Sequence, residues 1–248
     1  MATAVPDVSV VIPVFNEEAN LVDLHAALRD ALDGMDRLLE FIYVDDGSTD
    51  GSGAVLSALG RADDRIRLMS HDDNAGLSAA LRTGFASARG DIVATLDADL
   101  QNDPADLPRL FKEREDRGAD MICGWRKERN DPWTKRWATR IGNGMRNRLL
   151  EESIHDSCCP MKVFRRSVSE HWPVFDGYHR FLPGMTRASG GLVVEIPVAH
   201  RRRTAGKSSY GIRNRAWKGW ADLRGVRWLR RNAIHASSVD AMETEETP

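Results

Sequence analysis

The sequence predicts an α/β protein built on a mostly parallel central sheet with helices on both faces. Short β-branched runs alternate with segments of helical period, acidic residues follow several of the runs, and the regular alternation fades after residue 123. In chain order, Val8 to Ile12 reads as a strand closed by Pro13, and Leu39 to Val44 as a strand closed by Asp45-Asp46-Gly47-Ser48. Ile66 to Met69 and Ile92 to Leu96 repeat the pattern, as expected for parallel strands buried on both faces. Between them, Leu21, Leu24, Leu28 and Leu32 share one helix face, and Ser52 to Leu59 forms a short helix. Leu77, Leu81 and Phe85 recur at four-residue spacing ahead of Gly90, marking a third helix. Met121 to Cys123, Met161 to Phe164 and Leu192 to Ile196 read as further strands, and Trp133 to Leu150 as a helix with one apolar and one basic face.

The chain has 248 residues, 42% of them hydrophobic, which supports one substantial core with a smaller appendage. A net charge of −2 hides an uneven distribution: residues 201 to 231 hold nine Arg and two Lys against the single acid Asp222. Such a segment suits phosphates, an anionic membrane or nucleic acid, and equally a solvated helix face. Cys123, Cys158 and Cys159 lack zinc-site spacing and make a poor disulfide framework, so a reducing cytoplasmic compartment is expected. No stretch approaches the roughly 18 apolar residues of a membrane span, and no leader-like start is present, so neither export nor spanning is expected. Residues 232–248 are acidic with little to bury and read as a disordered tail.

The most telling segment is Thr95-Leu96-Asp97-Ala98-Asp99-Leu100-Gln101-Asn102-Asp103-Pro104. Residues two apart on an extended chain point the same way, so Asp97 and Asp99 can converge on one hard cation such as Mg²⁺ or Mn²⁺. A structural alternative has Asp99 capping the next helix and Asp97 as a solvated strand end. Glu17, Asp45 and Asp46 also follow strands, at the edge where open parallel sheets bind ligands. Taken singly, Glu17 reads as a first-turn helix acid and Asp46 as an Asp-Gly turn residue. Their coincidence at one edge favours a site.

Val10-Val11-Ile12-Pro13-Val14-Phe15-Asn16-Glu17-Glu18, Val44-Asp45-Asp46-Gly47-Ser48-Thr49-Asp50 and Leu96-Asp97-Ala98-Asp99-Leu100-Gln101 together resemble family 2 glycosyltransferases. Within that family the chain is most similar to polyprenyl-phosphate glycosyltransferases, the group that includes dolichol-phosphate mannosyltransferase. The similarity runs from about Val8 to Arg231 and takes in His179-Arg180-Phe181-Leu182-Pro183 and the segment His200 to Tyr210. It implies a GT-A catalytic domain over residues 1–231, with a nucleotide-sugar half (8–123), an acceptor half (124–210) and a basic Trp-rich helix (211–231). It also implies a divalent cation, Mg²⁺ or Mn²⁺, a GDP- or UDP-linked sugar donor and a polyprenyl phosphate acceptor.

By the same resemblance Pro13, Phe15 and Glu17 hold base and ribose, Asp46 reads the base edge and Val44 lines the pocket. Asp97, Ala98 and Asp99 lie at the diphosphate, with Gln101 as third metal ligand after the two aspartates. Arg126 meets the diphosphate, Arg136 and Thr139 meet the acceptor phosphate, and Asp156 orients the acceptor. Arg203 and Lys207 belong to a closing loop in which Ser209 stands where the family carries lysine. Structural readings remain open here: a cap for Asp156, polar surface for Gln101, and an ordinary charged helix face for Arg136 and Thr139.

A phosphate monoester has a second pKa of about 6, so the acceptor is already a nucleophile and no side-chain base is required. In-line attack then inverts the anomeric centre. Trp217, Trp220 and Trp228 among arginines suit a helix in the headgroup layer, hence peripheral binding to the cytosolic face of a membrane. Packing of that Trp face on the catalytic domain is the alternative. Competing functions are elongation of a saccharide, for which no side-chain base is evident, and non-catalytic binding of a nucleotide sugar or of nucleic acid. No recognisable nucleic-acid fold supports the last.

Overall fold

The computed structural model describes residues 5–127 and 154–201, with Gly144 and Gly225 besides. Seven strands form one sheet in the order β3-β2-β1-β4-β6-β5-β7. They are β1 (Val8–Val14), β2 (Leu39–Asp45), β3 (Ile66–Ser70), β4 (Ile92–Thr95), β5 (Met121–Trp125), β6 (Lys162–Arg165) and β7 (Val193–Pro197). All neighbouring strands run parallel except β6, which is antiparallel to both β4 and β5. Helices α1 (Leu21–Leu32), α2 (Ser52–Ala62), α3 (Leu77–Ser87) and α4 (Leu107–Asp116) connect the strands of the nucleotide-sugar half.

The alternation of β1 side chains sorts these helices onto two faces. Val8, Val10, Ile12 and Val14 pack with Leu21, Leu24, Leu28 and Leu32 of α1, Leu56 of α2 and Leu107, Leu110 and Phe111 of α4. Val11 faces the other way and packs with Ala80, Leu81 and Phe85 of α3, together with Trp172, Tyr178 and Leu182 from the second half. Because α1 and α3 lie on opposite faces, the β1–β4 seam is the switch point of the sheet, where a crevice opens beyond the carboxyl ends.

Every strand expected from the apolar runs is present, with boundary differences that have physical causes. Pro13 does not end β1, which continues to Val14. The backbone groups of Val11 face β4, since its carbonyl accepts from Leu96 N, whereas Val14 accepts from Asp46 N on the β2 side. By parity the missing N–H of Pro13 faces β4, which has already ended at Thr95, so no ladder bond is lost. Thr95 is also the last residue paired to β1, opposite Val11, so Asp97 and Asp99 lie beyond the strand and not along it.

Apart from Gly144 and Gly225, the expected helix Trp133 to Leu150, the basic segment 211–231 and the tail 232–248 lie outside the described residues. Among the described residues no helix is long and apolar enough to cross a membrane.

The seating of α3 on β1 depends on Gly84, where an added Cβ would stand 2.3 Å from Val11 Cγ1. Gly84→Ala is expected to force helix and strand apart and to destabilise the fold by about 1–3 kcal/mol, read as a lowered urea midpoint at unchanged m-value.

Candidate active site

The first wall of the crevice is made by the β1–α1 and β2–α2 loops, which are laced by side chain to backbone bonds. Asn16 adopts a left-handed conformation, φ 55°. Its amide donates to Ser48 Oγ at 3.0 Å, and its side-chain oxygen accepts from Thr49 N at 2.8 Å and Asp50 N at 3.3 Å. Glu17 N donates to Ser52 Oγ at 3.0 Å, while the Glu17 carboxylate accepts from Asn20 Nδ2 at 2.6 Å. A cleft of about 470 Å³ opens between these loops, lined by Asn16, Glu17, Asn20, Asp50 and Val55 among others. Glu17 is half-buried in this lining, and half-buried Phe15 lies two residues before it.

Asp46 is a buried hub. His71 Nδ1 lies 2.7 Å from its Oδ1, which also accepts from Ala75 N at 3.1 Å, and its Oδ2 accepts from Gly76 N at 2.8 Å. A carboxylate accepts only, so Nδ1 of His71 carries the proton, and Nε2 meets Thr83 Oγ1 at 2.9 Å. Asp46 thus clamps the 71–76 loop over the end of β2. At Gly47, φ 68°, an added Cβ would lie 2.5 Å from the Asp73 carbonyl carbon, so the two loops abut. Pro13 is buried within the sheet, and the side chains of Val44 and Ala98 are enclosed in the core at 0% and 2% exposure.

Asp97 and Asp99 form the second wall. The expected extended geometry is replaced by a turn: Leu100 is left-handed at φ 57°, and Gln101 N donates to Asp99 Oδ1 at 3.1 Å. A left-handed β-unbranched residue other than Gly, Asn or Asp is uncommon, and such strain clusters at sites where geometry is imposed by the surroundings. Gln101 accepts from Arg201 N through its carbonyl at 2.8 Å, tying the turn to the end of the described second half. Burial, reinforced by the neighbouring Asp99, pushes the Asp97 carboxyl up to about 7, against the opposing pull of Lys162 and Arg126.

A pair of oxygen ligands whose negative charge is poorly solvated fits a hard divalent cation. Among the described residues no three His, Cys, Asp or Glu side chains gather as a metal cage.

The third wall comes from the second half. Arg126, just past β5, pairs with Asp156 through Nε to Oδ2 at 2.7 Å and Nη2 to Oδ1 at 2.9 Å, both side chains being largely buried. The Asp156 carboxylate, expected at the acceptor, is engaged in a two-pronged bond to Arg126. Arg136, Thr139, Arg203 and Lys207 lie outside the described residues.

Two residues at this wall were missed from sequence. Lys162 is 3% exposed, stands opposite Thr95 in the β4–β6 register and donates to the Cys159 carbonyl. A lysine inside the apolar run Met161 to Phe164 was the available signal. Glu195, two strands over on β7, gave no comparable signal beyond an acid within a strand.

An open α/β sheet with an acidic pair beyond β4 and a two-loop cleft beyond β1 and β2 defines the GT-A class of fold. The family follows from sequence: the glycosyl transferase family 2 model matches residues 9–172, and the chain belongs to that family. It is 38% identical over 206 residues to an undecaprenyl-phosphate 4-deoxy-4-formamido-L-arabinose transferase of Edwardsiella ictaluri, covering 83% of this chain and 63% of the relative. It is 33% identical over 231 residues to a dodecaprenyl-phosphate galacturonate synthase of Rhizobium johnstonii, covering 91% of this chain and 68% of the relative. The chain thus spans under two thirds of the length of the first. The fold also matches glucosyl-3-phosphoglycerate synthase of Mycobacterium tuberculosis, solved with Mn²⁺, UDP and glucosyl-3-phosphoglycerate. There the TM-score is 0.66 at 22% identity, over 94% of this chain and 82% of that one.

The Asp46 hub makes a local prediction. Asp46→Asn turns an NH₂ group toward backbone and imidazole donors and is expected to cost about 1–3 kcal/mol in urea unfolding. Asp45→Asn, which threatens the single bond from Ser48 N at 3.0 Å, is expected to cost less than about 1 kcal/mol.

Proposed function

We propose that the chain transfers one sugar, with inversion and with help from a divalent cation, from a nucleotide-diphosphate sugar to a polyprenyl phosphate. The observation that carries this reading is the Asp97/Asp99 pair at the switch point of a family 2 domain, beside the buried Arg126–Asp156 pair. The names of the two curated relatives support the acceptor, since both specify a polyprenyl phosphate. On this reading Asp97, Asp99 and Gln101 hold the cation, which when bound offsets charge on the departing diphosphate. Arg126 adds a fixed guanidinium for the same oxygens, with Asp156 setting its plane. Glu17 accepts from ribose hydroxyls. The acceptor phosphate, largely a dianion above about pH 6, needs orientation more than deprotonation, so the protein's work is positioning and electrostatics. A lipid-linked acceptor places the reaction at a membrane surface, and we assign the chain a peripheral position on its cytosolic face.

The partners of Asp46 favour a UDP-linked donor. Oδ1 already accepts two hydrogen bonds and Oδ2 one, so the carboxylate retains capacity for one further N–H. Uracil offers a single ring N–H, whereas guanine presents an adjacent N–H and NH₂ that seek two acceptors together. With Mn²⁺ present, UDP at about 100 times its Kd is expected to stabilise the fold by about 2.7 kcal/mol in a thermal-shift assay, with GDP giving a markedly smaller rise at equal concentration. An equal or larger rise with GDP overturns the preference.

Turnover tests the reaction itself. Asp97→Asn and Asp99→Asn are each expected to lower transfer of radiolabelled sugar to undecaprenyl phosphate by about 10²- to 10³-fold with the fold retained, and chelation of divalent metal is expected to abolish it. Undiminished turnover in the double variant would overturn the proposal.

A further inference from the structure

We propose that Glu195 is a positioning residue for this reaction, acting through the backbone of residues 155 and 156 to set the Asp156–Arg126 pair. The proposal rests on the sugar-transfer reading. Its basis is a chain of contacts across three elements of the second half. Glu195 lies on β7, opposite Cys123 of β5 in the parallel register, with its side chain only 8% exposed. Its Oε1 accepts from both His155 N and Asp156 N at 2.9 Å, and its Oε2 accepts from His155 N and from the imidazole Nδ1 at 2.9 Å. Two consecutive amides are therefore gathered onto one carboxylate, which fixes the direction in which the Asp156 side chain leaves the backbone.

That direction leads to Arg126. The Asp156 carboxylate takes the Nε and Nη2 edge of the guanidinium, and the Arg126 chain itself follows directly from β5, the strand beside β7. The imidazole of His155 stacks on Trp125 at 4.4 Å between ring centroids with planes 22° apart, so the residues flanking the ion pair on both segments are also joined. Arg126 is left with Nη1 directed to no partner among the described residues, which suits a guanidinium held on one edge and offered on the other. Charge alone does not explain the arrangement. A carboxylate that only balanced charge could pair with Arg126 directly, whereas among the described residues Glu195 bonds to no arginine and spends its acceptors on His155 and the Asp156 amide.

The test is a double-mutant cycle with two readouts. Binding of UDP with Mn²⁺, and of GDP with Mn²⁺ in parallel, is measured by calorimetry. Turnover with undecaprenyl phosphate is measured for the unaltered chain, Glu195→Gln, Glu195→Ala, Asp156→Ala and the Glu195→Ala/Asp156→Ala pair. If Glu195 acts through Asp156, Glu195→Ala is expected to weaken nucleoside diphosphate binding and to lower kcat by about tenfold each, with KM for the lipid phosphate changed by less than about twofold. The double variant is then expected to fall within about twofold of Asp156→Ala alone.

Losses that multiply in the double variant, or a Glu195→Ala protein within about twofold of the unaltered chain, overturn the proposal. Glu195→Gln keeps the shape and one acceptor oxygen, and it carries the comparison should the alanine variant fail to fold. An unaltered chain that binds a nucleoside diphosphate but transfers no sugar sinks the transfer reading, while the binding cycle still decides the role of Glu195.

Discussion

The structure depends on a carboxylate being held where it is poorly solvated. Asp97 follows β4 at the seam where helices leave the sheet on opposite faces, and its burial beside Asp99 makes the ionised form costly. Two neighbouring, half-buried carboxylates repel one another. Here the opposing cations Lys162 and Arg126 come from the second half of the chain, so the acidic pair and the second half are electrostatically interdependent. This gives a physical reason for the antiparallel insertion of β6 between β4 and β5. It sets Lys162 in register with Thr95, two residues ahead of Asp97.

Around that pair the loops are built from side chains bonded to backbone. Asn16 holds residues 49 and 50, Asp46 holds residues 75 and 76, and Glu195 holds residues 155 and 156. Each is an acceptor reaching across more than twenty residues of sequence to satisfy amides that no ladder reaches. The effect is a rigid rim on a parallel sheet. Loops in such folds carry ligand-binding groups, and precision there comes from locking them to the scaffold.

The sheet was legible because its signals are periodic and local. A run such as Val8 to Ile12 reads as a strand buried on both faces, as parallel sheets require, and the three- and four-residue spacing of Leu21, Leu24, Leu28 and Leu32 admits one helix face. The acidic residues at strand ends were legible for the same reason. What was hidden depends on contacts distant in sequence. The antiparallel setting of β6 follows from no local feature of Lys162 to Arg165, and the buried state of Lys162 requires knowing that Thr95 and Cys123 flank it. Asp156 read as a cap or an acceptor contact because Arg126 is thirty residues away along the chain. The left-handed Leu100 carries no sequence mark at all, since leucine is neither glycine nor asparagine.

The same contrast separates Asp45 from Asp46. These are adjacent acids on one turn, and strand parity sends them to different contacts. Asp45 ends β2 paired with Val14, and its side chain turns back to the Ser48 amide, closing the local turn. Asp46, one residue on, is 3% exposed and faces the 71–76 loop, where three donors converge on it. On the proposed reading, a group so occupied would discriminate among bases by how little acceptor capacity remains, since any base would share it with backbone already in place. Selectivity at this rim is therefore a property of the loop packing as much as of the carboxylate. It extends to His71, whose proton position is fixed by Asp46 on one side and whose other nitrogen is met by Thr83 on the other.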